Sequence, residues 1–538
     1  MEQFISDSNE ARQVEWKLRV VNGRIYLVSR IKNLEELLMY NQASIRYLSP
    51  FQQLFSRESI QFKGTTPSIA VASTALIIRN ANPSNKPNRT DPTPRGRPDS
   101  FYKQYMDELI TLYMERYNPF VGLLHAPSFL QHYQSLKDPL SSPIVLAACV
   151  DTIAYFFSRL KYSSEEKRHL AEFFYVRCRD MLIGEMFDDP RQRLQAIIAS
   201  NLLMQYLLDL LLEFGEARRL LTVAYLACHE VNVDDLSTVE YALFQRHRAT
   251  VQIYFTQVNM AFHDKFDLGI VEWDNVYPMD DDPPAVHSYL AMWKCILELG
   301  SSPYIVSILE TLSDAIIHGR KCELSLDNIL RYEPTMRSWW KNIPEEFRLC
   351  EEPFDLTSAK EALERVTSST QMGPFAFLHA FTAIVQSVLL KPQLAQDTGE
   401  PINDDIVNII KEKAMSLTLC STQLLVQMMK KNLEVDIEAV PLSFGFMISV
   451  LHSVCNIVMT YHQVNLSPAT ERTLMHCFFQ LSSIVPLDHH IPRSISSLES
   501  FMLTLKSNPL SMYEKYPMPR LAMLSDILYT CFGQLNVI

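Results

Sequence analysis

Glycine is scarce in this chain, with only 13 residues in 538, about a third of the ordinary share. Glycine supplies the positive-φ positions of tight turns and the bare backbone of phosphate-cradling loops, so few sites remain for hairpins or nucleotide loops. A Gly-x-Ser-x-Gly elbow and a Gly-x-x-x-x-Gly-Lys loop are both missing, which removes the usual signatures of a serine nucleophile and of a P-loop. Ten cysteines are present, but no two stand as Cys-x-x-Cys, and the nearest pair in sequence is Cys455 and Cys477. That excludes close-paired thiolate zinc sites and thioredoxin-like redox motifs. Single cysteines in apolar stretches, such as Cys149, read as small core residues of a reduced intracellular protein.

Long hydrophobic runs are also missing. Asp151 interrupts the apolar window 143–157, and His452 and Asn456 interrupt 441–461. A spanning helix needs about 18 or more uninterrupted apolar residues, so both read as core helices and no membrane partner is expected. The start, MEQFISDSNEARQ, has neither a basic nor an apolar leader region, so secretion is not expected. The sequons at Asn88 and Asn465 are then chance matches. With 49 basic against 61 acidic residues, a formal charge of −12, the chain as a whole is no electrostatic binder of phosphate backbones.

Helical patterning dominates what is there. Residues 1–79 read as an extension. It opens with alternating Trp16, Leu18 and Val20 before Asn22-Gly23, which predicts a hairpin over about 16–29. A helix is expected from Asn33 with Leu34, Leu37 and Leu38 on one face, and 68–78 reads as either strand or buried helix. Residues 80–100 carry five prolines and no large apolar residue, which makes them a linker. Its basic residues Lys86, Arg89, Arg95 and Arg97 are interrupted by Asp91 and Asp99, as in a solvated segment.

From 101 to 538 the expectation is one large all-α domain. Tyr102, Met106, Leu109 and Tyr113 recur at helical steps. Further helices are predicted at 143–157, 169–186, 192–212, 216–230, 239–262, 302–318, 375–391, 405–430, 443–462 and 469–483, with no fixed-period repeat. A terminal packed helix is expected at 521–532.

Chemical constellations are thin. The acidic runs at 188–189, 234–235, 280–282 and 404–405 lack the Asp-Asp-x-x-Asp spacing that would return a third carboxylate to one helical face. They read as helix caps or solvated turns. His489-His490 and His263-Asp264 lack metal-site spacing. An all-α enzyme acting on a small apolar substrate is the alternative function, tested by turnover of isoprenoid diphosphates with magnesium.

The segment 109–133, LITLYMERYNPFVGLLHAPSFLQHY, resembles the opening of the middle homology region of fungal zinc-cluster transcription factors. Its landmarks here are Tyr113, Tyr117, Pro119, Phe120, Leu123, Leu124, His125, Pro127, Phe129 and Tyr133. Residues 222–234 and the stretch from Tyr241 to Pro283 are similar to that region's Ala-rich helix and its long helix with a following Asp-Pro turn. Leu330, Trp339 and Pro344 resemble its closing pattern, and Lys391-Pro392 stands where an Arg-Pro is typical. FQRHRATVQIY at 244–254 departs from the pattern by lacking a tryptophan. The resemblance covers about 101–460, with the middle region at about 101–350 and C-terminal helices at 351–538.

The resemblance implies an all-α regulatory domain in the nucleus, without enzymatic activity, acting through protein partners of the transcription machinery. The family's six-cysteine zinc cluster is absent, so no cofactor is expected in this chain. DNA binding is then expected only with a cluster supplied upstream or by another subunit. Three explanations stand: a truncated gene model, a borrowed DNA-binding module, or a domain put to another scaffold use. Six cysteines encoded upstream of Met1 would mark the first. A 10% aromatic share and 22 Met residues suit either a pocket for a small-molecule effector or plain core filling. No sustained heptad run precedes residue 100, which leaves oligomeric state open. Taken as residues, Pro119 and Pro127 bracket a turn packed by Phe120, Leu123, Leu124 and Phe129, and His125 ties that loop to a backbone carbonyl.

Overall fold

A computed structural model describes residues 17–21, 24–28, 33–34, 60–62, 97–156, 160–210, 213–260, 273–300, 302–317, 322–366, 369–390 and 404–434, with a few positions between 468 and 477. The expectations for 68–78, 443–462 and 521–532, for Leu37 and Leu38, and for most of the linker and of 469–483 lie outside these residues. So do Lys391 and Pro392.

The expected hairpin pairs β1 (Lys17–Val21) with β2 (Arg24–Val28) antiparallel, with Val21 opposite Arg24. The body is all-α, as the patterning required. Its first part contains α1 (Asp99–Leu112), the single turn α2 (Asn118–Val121), α3 (Ala126–Ser135), α4 (Pro143–Tyr155), α5 (Ser164–Met181), α6 (Arg193–Leu202), α7 (Phe214–Glu230) and α8 (Thr238–Met260). The second contains α9 (Pro284–Gly300), α10 (Pro303–Ile317), α11 (Leu326–Asn342), α12 (Leu356–Arg365), α13 (Ser369–Leu389) and α14 (Asp404–Glu434).

Local signals explain many of the boundaries. Proline fills the first position of α4, α9 and α10, where its missing N–H costs nothing. Ser163 and Glu166 form a reciprocal capping box at the start of α5, and Ser237 and Glu240 bond in the same pattern at α8. Ser325 caps α11 and Asp355 caps α12. The helix at 126–135 follows the turn expected between two helices at Pro119 and Pro127, whereas those at 284–300, 326–342 and 356–365 have no counterpart among the predicted elements. In α11 the internal Pro334 masks the pattern, yet the helix runs through it. The expected 192–212 helix is divided: α6 ends at Leu202 and a π-helical turn follows at Tyr206–Leu210.

Two large hydrophobic cores result. The first is built on α1, whose Tyr102, Met106, Leu109 and Tyr113 are all buried, and on α4, which is buried almost all round. The second gathers α10 through α14 around Trp340, which is fully buried and donates from its indole to the Cys350 carbonyl at 2.7 Å. Helix α9 belongs to both neighbourhoods. Val286 and Leu290 pack with Ala249 and Trp273, whereas Met292, Ile296 and Leu299 enter the second core.

Among the described residues one helix, Gln371–Leu389, is long and apolar enough to cross a membrane, and 83% of that stretch is buried within this fold. It carries His379, Thr382 and Gln386 on its buried surface, where Ser421 lies 3.1 Å from His379 and Tyr332 donates to Thr382 at 3.1 Å. A strand from the extension also joins the body: β3 (Ile60–Phe62) pairs antiparallel with β4 (Cys322–Leu324), just before α11.

Trp340→Ala is expected to cost about 3–5 kcal/mol, from lost burial and the residual cavity. Leu226→Ala, at an exposed position, should stay within about 0.5 kcal/mol of the parent. Urea unfolding of the two variants checks both.

Candidate functional site

The motif loop between α1 and α3 is held by a set of polar contacts from within the loop and from α8. After α1 the chain passes through a π-helical turn (Tyr113–Tyr117) into α2. Gly122 then takes φ 61°, the left-handed region that suits glycine. A Cβ at this position would meet the Val286 side chain at 2.5 Å, so α9 approaches the bare backbone here. Asn118 closes the loop on itself: its amide donates to the Leu124 carbonyl at 2.7 Å and its oxygen accepts from Leu124 N–H at 2.8 Å.

Helix α8 supplies the partners for the loop. Arg246 donates to the Gly122 carbonyl at 2.8 Å and to the Tyr277 carbonyl at 3.2 Å, and pairs with the Asp282 carboxylate. That ion pair is buried, with side-chain exposures of 2% and 5%. Asp282 also accepts from Met279 N–H at 2.7 Å. The next residue, His247, donates from Nε2 to the Leu123 carbonyl at 2.7 Å and accepts at Nδ1 from the Asn201 amide at 2.9 Å. These two bonds define a neutral ring with its proton on Nε2. Burial and the neighbouring Arg246 charge push this imidazole down to about 4.

His125 sits at the N-cap position of α3, with Pro127 in the first helical turn. Its Nδ1 is 2.7 Å from the Ser128 hydroxyl and its Nε2 is 2.8 Å from the Asp281 carboxylate. The backbone carbonyl expected as its partner is replaced by a carboxylate from a distant segment. The hydrogen bond from His125 holds the Asp281 carboxyl below its usual range. The 280–282 run therefore corrects the cap-or-solvated-turn reading: Asp281 is exposed on one side and bonded on the other, and Asp282 is buried against Arg246. By contrast, the 188–189 run does match the turn reading, since Asp189 accepts from Arg191 N–H at 3.0 Å.

The other motif residues serve packing. Phe129 is buried, Phe120 and Pro119 are half-buried, and Pro127 is exposed. Tyr117 places its ring 4.3 Å from that of Tyr155 and 5.3 Å from that of Tyr113. Burial first, and the charge of buried Asp151 second, push the Tyr113 and Tyr117 phenols well above the usual range. These phenols stay protonated. Trp339 and Pro344 lie apart from the junction, in the second part: Trp339 donates to the Cys295 carbonyl at 3.0 Å, and exposed Pro344 leads a short 3-10 turn.

Asn201 and Asp151 were missed as site residues, whereas Asp282 stands in the Asp-Pro turn of the resemblance. Single polar residues inside apolar helix patterns, as Asn201 and Asp151 are, were the only signal available.

Burial pushes the Cys228, Cys350 and Cys477 thiols up to about 12, so they stay protonated. Among the described residues no group of three or more His, Cys, Asp or Glu side chains is placed to hold a metal ion. A pocket between α11, α13 and α14 offers about 10 Å³, room for one water. Compared with protein-family models, curated proteins and solved structures, the chain matches none.

Asp282→Asn leaves the buried Arg246 charge uncompensated and is expected to cost about 3–5 kcal/mol, read by urea unfolding. A pH dependence follows from His247, whose folded value near 4 lies below the unfolded value of about 6.5. As pH falls through that window the unfolded imidazole takes up a proton that the buried ring refuses, so stability is lost. His379, pushed down to about 3 by burial, acts in the same direction. Each contributes at most about 1.4 kcal/mol per pH unit. Unfolding free energies measured from about pH 7 to about pH 4 should fall accordingly, and a flat profile would contradict the neutral buried rings.

Proposed function

We propose that this chain is a helical regulatory domain of the fungal zinc-cluster transcription factor type, working in the nucleus through protein partners. On this reading its DNA-binding module is supplied elsewhere. The observation that supports the reading is the convergence of three separated sequence segments that carry the resemblance. The loop at 117–129, the Arg246-His247 pair in the departing 244–254 stretch, and the Asp-Pro turn at 281–283 meet at one junction.

The chemistry of that junction favours a scaffold. Its carboxylates, guanidinium and imidazoles bond one another and the backbone of the loop, and these bonds define loop geometry. The punctuation of the motif thereby acquires a physical cause. Proline, glycine and asparagine shape the turn, and Arg246, His247 and Asp281 hold it.

Three measurements test the reading together. Fused to a heterologous DNA-binding module, the chain should change expression of a reporter carrying that module's site. Alone in a mobility-shift assay it should show no sequence-specific shift. A tight specific shift, an inert fusion, or turnover of isoprenoid diphosphates would overturn the proposal.

A further inference from the structure

Helix α7 buries one side and leaves the other open to solvent. Ala217, Leu221, Ala224 and Ala227 are buried in core clusters, whereas Arg219, Val223, Leu226 and Glu230 are exposed. Steps of four, three and four residues bring those four exposed side chains onto one narrow stripe, with the spacing of the a and d positions at which paired helices meet. Six large hydrophobic side chains are exposed among the described residues, and three of them, Val223, Leu226 and Val233, fall on α7 or in the turn just after it.

The stripe is complementary to itself. Arg219 stands four residues before Val223 and Glu230 four residues after Leu226, so its spacing is symmetric about the midpoint and its two ends are opposite in charge. A second α7 laid antiparallel across it, about a two-fold axis, sets Val223 against the copy's Leu226 and Arg219 against the copy's Glu230, and each contact occurs twice. A parallel arrangement would face Arg219 with Arg219 and Glu230 with Glu230, which like-charge repulsion disfavours.

Both charges have a partner within the chain, and both keep room for a second. Arg219 pairs with Glu216 one turn earlier and is 55% exposed. Glu230 lies 3.1 Å from Arg193 and is 64% exposed. A guanidinium offers five N–H donors and a carboxylate about four acceptor sites. The antiparallel pairing therefore joins two separate ion pairs into a run of alternating sign, from Glu216 and Arg219 to Glu230 and Arg193 of the copy. Single exposed pairs contribute little, and a network contributes more.

We propose that the exposed face of α7 is a self-association surface, on which a second copy of this chain docks its own α7 antiparallel across the midpoint between Val223 and Leu226. Two single helices cover less than the roughly 1,200 Å² that stable interfaces bury, so the dimer is weak and depends on concentration. The inference stands apart from the regulatory reading, since its test reads molecular mass and not transcription.

Sedimentation equilibrium of the full chain from about 5 μM to about 500 μM should show a reversible monomer–dimer equilibrium. Arg219→Glu and Glu230→Arg each place like charges across the axis at both ends, and each should weaken self-association at least about tenfold. Mixed together, the two variants should associate again, because opposite charges then face each other at both ends. Damage confined to one chain would not be repaired by mixing. Leu226→Ala, which thins the apolar centre, should also weaken the dimer and keeps the test open if a charge variant fails to fold, as judged by thermal melts. A monomer throughout, variants that associate like the parent, or a mixture of folded charge variants that stays monomeric would overturn the proposal.

Discussion

Charge buried without water must find its partner inside the chain, and Arg246 meets that demand with a buried carboxylate and two backbone carbonyls. The guanidinium lies under α9 and the motif loop, reaching the Gly122 and Tyr277 carbonyls and the Asp282 carboxylate. Desolvating both ions is expensive and is offset only when geometry and extra hydrogen bonds are in place. The loop, the first half of α8 and the turn before α9 therefore have to assemble together. The pair constrains relative placement more than it adds net stability.

The same logic recurs nearby in weaker form. His247 is kept neutral by its burial and by the adjacent guanidinium, and a neutral ring can both donate to Leu123 and accept from Asn201. His125 needs no such burial for its partner, since Asp281 remains largely open to water. Together the two histidines bind both ends of the short stretch 123–125 to different elements. That stretch is consequently held from the first core and from the turn leading into the second.

Helix α13 shows how packing changes the meaning of a hydrophobic segment. By length and composition Gln371–Leu389 passes for a membrane span, yet most of it is enclosed by neighbouring helices. Its His379 and Thr382 meet Ser421 and Tyr332 across the interfaces with α14 and α11. Polar groups that would be costly in lipid here find partners on adjacent helices.

The sequence by itself determined the helical class, the buried face of α1, the hairpin near the start and the turn punctuated by Pro119 and Pro127. These follow from spacing and from backbone chemistry that acts within a few residues. Helices α9 and α11 escaped notice, the second because Pro334 outweighs its local pattern until packing around Trp340 and Tyr332 decides the matter. The pairing of Arg246 with Asp282 and of His125 with Asp281 belonged to tertiary structure alone. Each joins residues far apart in the chain, and no periodicity encodes which distant carboxylate a buried cation meets. Only the folded arrangement, by removing water from both, makes that choice.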